Sequence, residues 1–249
     1  MSQAPPAFSG VAPVQLEHKA RMRILGAVMV GIFLAALDQT IVGTALPRII
    51  TDLRGNELYT WAITAYLLTS TISGPLWGKL SDLFGRRPIF LSGIAIFMFG
   101  SLLAGLSQEM WQLVVTRGVQ GLGAGALFPI ALAVIADLFA PSERGRYQGL
   151  FGAVFGVSTL IGPALGGIIT DNFGWPWVFF LNLPIGAFVS TWSGATCPAT
   201  IWAATSRAST IWARHSSRRR WYPSSWASPT SRRPTGPTRG WVASWPWAA

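Results

Sequence analysis

The sequence predicts an all-α integral membrane protein organised as a bundle of six helices. Three observations carry this prediction. Of the 249 residues, 51% are hydrophobic and only 11% charged, whereas soluble domains carry about 25% charged residues. Five runs of 19 to 26 residues are almost free of charge, and each is long enough to cross ~30 Å of hydrocarbon at ~1.5 Å per residue. The intervals between them are short and hold the charges, prolines and turn formers, as expected where backbone leaves a bilayer and must be solvated or capped.

Residues 1–23 read as a polar cytoplasmic segment ending in Lys19, Arg21 and Arg23. The run that follows, 24–46, has 23 residues with Asp38 as its one charge. A secretory signal has an apolar core of only about 7–15 residues followed by a cleavage site, so this run is read as a retained spanning helix. Further helices are expected at 59–77, 88–106, 111–136 and 147–170, with Arg117 the one charge inside the fourth. A sixth is expected at 177–192. It gives only ~24 Å of rise before the composition changes, and is therefore read as incomplete. The transmembrane unit is thus 24–191.

Lys and Arg in short loops stay on the cytoplasmic side. With the N-terminus inside, the inside segments hold Lys19, Arg21, Arg23, Lys79, Arg86, Arg87, Arg144 and Arg146, against Arg48 and Arg54 outside. That asymmetry predicts a cytoplasmic N-terminus in a multi-pass inner (plasma) membrane protein.

The stretch 192–249 differs sharply, with eight Trp, eight Arg and ten Ser but no Leu, Phe, Lys, Asp or Glu. Excess Trp and Arg without Leu is what an out-of-frame reading of GC-rich coding DNA produces. A disordered tail and an Arg/Trp segment for anionic lipid or nucleic acid are the alternatives. The formal net charge of +10 draws 8 of its 19 basic residues from this stretch, so it does not argue for a nucleic-acid partner. Cys197 is the only cysteine, which excludes an intrachain disulfide and a Cys-based metal cluster.

Four groups of residues carry the functional reading. The interval after the second run contains Gly78, Lys79, Ser81, Asp82, Gly85, Arg86 and Arg87, a tight basic turn in which glycine permits a positive φ. It resembles the signature loop of the major facilitator superfamily, G-x-L-x-D-x-x-G-R-[RK]. The resemblance implies that Asp82 and Arg86 latch the two halves of a transporter on the inside face, with Gly78, Gly85 and Arg87 completing the gate.

Asp38 lies in a segment similar to the L-D-x-T-I-V-x-x-A-L-P pattern of drug:proton antiporters, in particular the branch with fourteen transmembrane helices (EmrB/QacA-like multidrug exporters). A carboxylate at the centre of a membrane helix costs about 2.5–3.5 kcal/mol, so it must face a cavity or a partner. Such a group can take a proton from one side and release it to the other. Arg117 begins an R-x-x-Q-G-x-G-x-G pattern resembling that of the fourth helix. Counted from the outer helix ends, Asp38 is ~12 Å deep and Arg117 ~9 Å deep. The resemblance sets the first and fourth helices side by side, so the two can meet directly or through water, with Arg117 tuning the hold of Asp38 on its proton. Gly121, Gly123 and Gly125 suit close helix packing.

The fifth run carries Gly149, Gly162, Pro163, Gly166 and Gly167, with Ser158 where the antiporter pattern has glycine. It is similar to the Pro-bent, glycine-lined fifth helix of exporters, which packs on its counterpart in the other half. Trp175, Asn182, Pro184 and Gly186 match the W-x-W-x-F-x-x-N-x-P-I-G opening of the sixth helix in the same branch. No glycine-rich phosphate loop is followed by Lys-Ser/Thr, which argues against an ATP-driven pump.

Together these imply the N-terminal half of a major facilitator fold, covering residues 24 to about 189. The expected function is proton-coupled export of an amphipathic or cationic small molecule, driven by the proton gradient. No cofactor, no metal, no enzyme activity and no nucleic acid are expected; the partners are protons, substrate and the lipid bilayer. The second transporter half is missing from this chain, so transport by it alone is not expected. The rival reading is a non-transporting membrane interaction subunit whose basic tail binds anionic lipid or nucleic acid.

Overall fold

A computed structural model describes residues 18–196, with side chains to Ser193. Both the 1–17 segment and nearly all of the 192–249 stretch, including the frame and tail readings attached to it, lie outside the described residues. The order is α1 (His18–Leu53), α2 (Tyr59–Phe84), α3 (Arg86–Gly105), α4 (Met110–Leu138), α5 (Pro141–Asn172), α6 (Pro176–Phe180) and α7 (Asn182–Thr196). The described residues are all-helical, with α6 and α7 forming one crossing broken at Leu181. By length and composition α1, α3, α4 and α5 are apolar enough to span a membrane.

The helices outrun the apolar stretches that predict them. α1 continues through Pro47 to Leu53, although proline removes one backbone donor and disfavours helix just before itself. Its last turns carry the exposed Arg48–Asp52 pair at 3.6 Å, and Arg54 closes it at φ 50°. α2 runs to Phe84. Gly78, Lys79 and Asp82 therefore lie on its final turns rather than in a loop, and the whole turn into α3 is Gly85 at φ 98°. Pro184 has no N–H to give the carbonyl four residues earlier, which accounts for the break between α6 and α7. Beyond it α7 reaches Thr196, four residues past the expected end.

Inside a membrane, burial against lipid gains little, and association depends on close packing. α4 lies between α2 and α3, and its glycines alternate between them. A Cβ at Gly121 or Gly125 would collide with Thr69, Tyr66, Ser70 and Ser73 of α2, whereas one at Gly123 would collide with Phe97 and Gly93 of α3. α1 contacts α4, α5, α6 and α7. Two apolar clusters fill the interior. One, around Ile24, Phe90, Ile130 and Val134, occupies the end near the α2–α3 turn. The other, around Ile41, Ile49, Leu113 and Phe179, occupies the opposite end.

Candidate functional site

Between these clusters sits a group of polar side chains sealed from solvent. Asp38 on α1 is 1% exposed and Arg117 on α4 is 2% exposed. Arg117 Nη1 donates to Asp38 Oδ2 at 2.7 Å and to Gln120 Oε1 at 2.7 Å. Gln120 follows Arg117 by three residues and so shares its helix face; its Nε2 donates to Asp38 Oδ1 at 2.9 Å. Asn182, the first residue of α7, donates from Nδ2 to the same Oδ1 at 2.7 Å and to Ser101 Oγ at 2.9 Å. Ser101 of α3 in turn donates a hydrogen bond from Oγ to the Phe179 carbonyl at 2.9 Å. Donors from α4 and α7 thereby converge on one carboxylate of α1, and α3 is tied to them only through Asn182.

An aromatic clamp completes the setting of the guanidinium. Arg117 Cζ lies 4.2 Å from the Tyr66 ring centroid and 5.9 Å from that of Phe179. Taking two charges out of water costs several kcal/mol per ion even after relaxation. The offset here comes from direct pairing, two amide donors and a cation–π contact. Arg117 Nε and Asn182 Oδ1 are buried without a hydrogen-bond partner, so the group retains unused donor and acceptor capacity.

A cavity of about 480 Å³ lies alongside, between α1, α2, α4 and α5. Ala36 and Gln39 line it from α1, Tyr66 and Ser70 from α2, Phe128 from α4 and Phe155 from α5. Its wall is mostly apolar and aromatic, and no charged side chain lines it.

The remaining predicted residues form separate groups. At the α2–α3 turn, Arg86 is buried and pairs with Asp82 at 2.5 Å and with Asp137 at 3.0 Å, while also donating to Ser81 Oγ at 2.7 Å. Arg87 lies half-buried beside it. Arg144 donates to the Ala136 and Phe139 carbonyls, satisfying groups left open at the end of α4. On α5, Ser158, Gly162 and Gly166 recur every four residues and are the buried face together with Phe151. A Cβ at Gly162 would collide with Thr40, and one at Gly166 would lie 3.1 Å from the Ile41 carbonyl. Gly149 and Gly167 face open space, and Pro163 is exposed; they take no part in that contact. Of the sixth-crossing residues only Asn182 reaches Asp38. Trp175 packs edge-on against Phe179 at 6.2 Å, a Cβ at Gly186 would abut Met98 at 2.6 Å, and Pro184 is exposed.

Reasoning from sequence missed Gln120, Ser101, Tyr66 and Asp137 as members of these groups. Gln120 is the glutamine of the R-x-x-Q pattern, so its spacing from Arg117 was a usable signal. The others are single polar or aromatic residues whose partners lie far away in sequence. Among the described residues no group of three or more His, Cys, Asp or Glu could hold a metal ion.

Comparison with known proteins agrees with this architecture. The Major Facilitator Superfamily profile matches residues 28–242, a span that runs past Thr191. The multidrug transporter protein MdtP of Bacillus subtilis (strain 168) is 48% identical over 170 residues, covering 68% of this chain and 31% of MdtP. Multidrug resistance protein 3 of the same organism is 48% identical over 171 residues, covering 69% of this chain and 33% of that protein. Efflux pump dotC of Dothistroma septosporum (strain NZE10 / CBS 128990) is 42% identical over 162 residues, covering 65% of this chain and 28% of the pump. The chain thus spans about a third of the length of these curated relatives.

Among solved structures, the proton:xylose symporter XylE aligns with a TM-score of 0.65 at 15% identity, over 80% of this chain and 52% of that one. The human organic anion transporter MFSD10 (TETRAN) aligns with a TM-score of 0.59 at 22% identity, over 72% of this chain and 48% of that one. Apolar helices, the glycine-packed α4 and this profile match converge on one statement: the chain is a membrane protein and belongs to the Major Facilitator Superfamily.

Proposed function

We propose that this chain forms the N-terminal bundle of a proton-coupled exporter of the fourteen-helix drug:proton antiporter branch, with its N-terminus in the cytoplasm. The observation that carries the proposal is the Asp38 carboxylate, 1% exposed and held by Arg117, Gln120 and Asn182. A carboxylate buried this deeply is favoured while Arg117 compensates it. A proton arriving on Asp38 neutralises the carboxylate and frees Arg117, so protonation and rearrangement of α1 against α4 are linked. Asp38 bears the proton and Arg117 competes with that proton for the carboxylate.

The cavity beside Tyr66 supplies part of the path for an amphipathic or cationic small molecule. Transporters of this kind rock two helix bundles about a midplane site. The chain contributes one bundle, and the opposing wall comes from sequence corresponding to the rest of the relatives' length. The Asp82–Arg86–Asp137 group closes the inside face, and the face of α5 around Ser158, Gly162 and Gly166 holds α5 on α1. The driving force is the proton gradient, without a cofactor. This chain alone is expected not to transport, and drug efflux from vesicles containing it alone would contradict that.

The test is Asp38→Asn in a full-length transporter carrying this bundle, assayed for drug extrusion under an imposed pH gradient. Extrusion falls to background, while substrate equilibration without a gradient persists. Undiminished gradient-driven extrusion sinks the proposal.

A further inference from the structure

Two spaces flank the contact between α1 and α5. One is the cavity already described. The other, of about 280 Å³, is a groove lined by Met29 and Phe33 of α1 and by Leu150, Ala153, Val154 and Val157 of α5. All six are apolar. Phe155 of α5 borders the cavity, and at 3.6 residues per turn it falls on the opposite side of the helix from Leu150, Ala153 and Val157. The groove is thus turned away from the wall that a second bundle closes, and in a membrane it meets lipid.

Both walls of the groove run toward a cation. On α5, Arg146, Leu150, Ala153 and Val157 follow one another at steps of four, three and four residues, which keeps them on one helix face. On α1, Lys19, Met22, Gly26, Met29 and Phe33 do the same at steps of three and four. A Cβ at Gly26 would meet nothing within 4 Å, so the α1 wall stays open between Met29 and the charged end. Arg146 lies ~6 Å along the helix axis from Leu150. Lys19 and Arg146 are exposed, and among the described residues neither has an ion-pair or hydrogen-bond partner. The neighbouring Arg144 is occupied by carbonyls of α4. Glu143, three residues before Arg146, is exposed and forms no ion pair with it.

We propose that this groove seats one acyl chain of an anionic glycerophospholipid, with Arg146 holding the phosphate and Lys19 lying beyond it at the water interface. An apolar groove between membrane helices that ends in uncompensated cations matches a lipid in both parts: hydrocarbon lies against Phe33 and Val157, and negative charge lies against Arg146. A long basic side chain reaches the headgroup level while its stem covers apolar surface. A zwitterionic lipid fills the groove equally well but adds no net charge to match the cations. The cytoplasmic N-terminus proposed above makes this a lipid of the inner leaflet; binding itself does not depend on that orientation.

The experiment is native mass spectrometry of the 249-residue chain in detergent, titrated with phosphatidylglycerol or with phosphatidylcholine of the same acyl chains. Wild type binds phosphatidylglycerol more tightly. Arg146→Gln weakens phosphatidylglycerol about fivefold, the worth of one basic side chain at an anionic surface, and leaves phosphatidylcholine unchanged. Arg146→Lys retains the preference. Lys79→Gln, which removes an exposed cation of α2 away from the groove, behaves as wild type. Ala153→Phe fills the groove and weakens both lipids. Equal binding of the two lipids by wild type, an equal loss from Lys79→Gln and Arg146→Gln, or unchanged phosphatidylglycerol binding by Ala153→Phe overturns the inference. So does absence of the Arg146→Gln effect in a full-length transporter carrying this bundle, which would show the second bundle covering this face. Because the titration is made in detergent, none of these outcomes bears on the orientation or on Asp38 as proton carrier.

Discussion

Arg117 Nη1 lies 2.7 Å from Asp38 Oδ2, joining α1 to α4 by an ion pair whose side chains are 2% and 0% exposed. Removing one partner of a buried pair strands the other and costs about 3–5 kcal/mol, whereas removing both costs far less. Arg117→Leu is therefore expected to destabilise the purified chain by about that amount. Adding Asp38→Asn should restore most of the loss. Denaturant titration of helicity in detergent measures both, and simple additivity of the two changes would contradict the pairing.

Asn182 ties the sixth crossing to the same carboxylate and to Ser101. Asn182→Leu removes both bonds and is expected to cost about 1–3 kcal/mol, the usual loss when buried polar groups are left unsatisfied. Ser101→Ala, which leaves the Asn182–Asp38 bond in place, should cost less. The same titration checks the order.

Glycines of similar appearance should diverge. Gly121→Ala and Gly123→Ala force a methyl into the backbone of α2 and α3 respectively, and overpacking of this kind costs about 1–3 kcal/mol. Gly149→Ala has open space around it, and replacing a helix-interior glycine by alanine gains roughly 0.5–1 kcal/mol. Parallel unfolding measurements on the three variants decide whether α4 is the packing axis.

At the other end, Arg86 gathers Asp82, Asp137 and Ser81 around the Gly85 turn. Arg86→Ala should accelerate amide hydrogen exchange across residues 80–90 and at the end of α4 together, because both are held by one side chain. An effect confined to the turn itself would show that the Asp137 contact does not hold α4.

Much of this was legible in the sequence because membrane helices announce themselves by length and by the scarcity of charge. Asp38 and Arg117 stood out as lone charges in apolar runs, and simple helical rise set them at similar depth; their contact is direct. The ends were less legible. The apolar run ends at Leu46, yet α1 continues through Pro47 into polar residues beyond it. Polar residues at the end of α2 resembled a loop although they are helical to Phe84. Ser101 and Tyr66 were invisible because a serine or tyrosine in an apolar run has no pattern of its own; its meaning lies in partners on other helices. Asn182 was visible as part of a motif, but its bond to Asp38 spans 144 residues and no spacing rule reaches that far.

The most direct test of Asp38 as the proton carrier is pH-difference infrared spectroscopy of the purified chain, wild type against Asp38→Asn. A carboxyl band that appears and disappears reversibly with pH in the wild type, and is missing from the variant, is the predicted result. Identical difference spectra from the two proteins would mean that Asp38 never exchanges a proton and that its ion pair with Arg117 is purely structural.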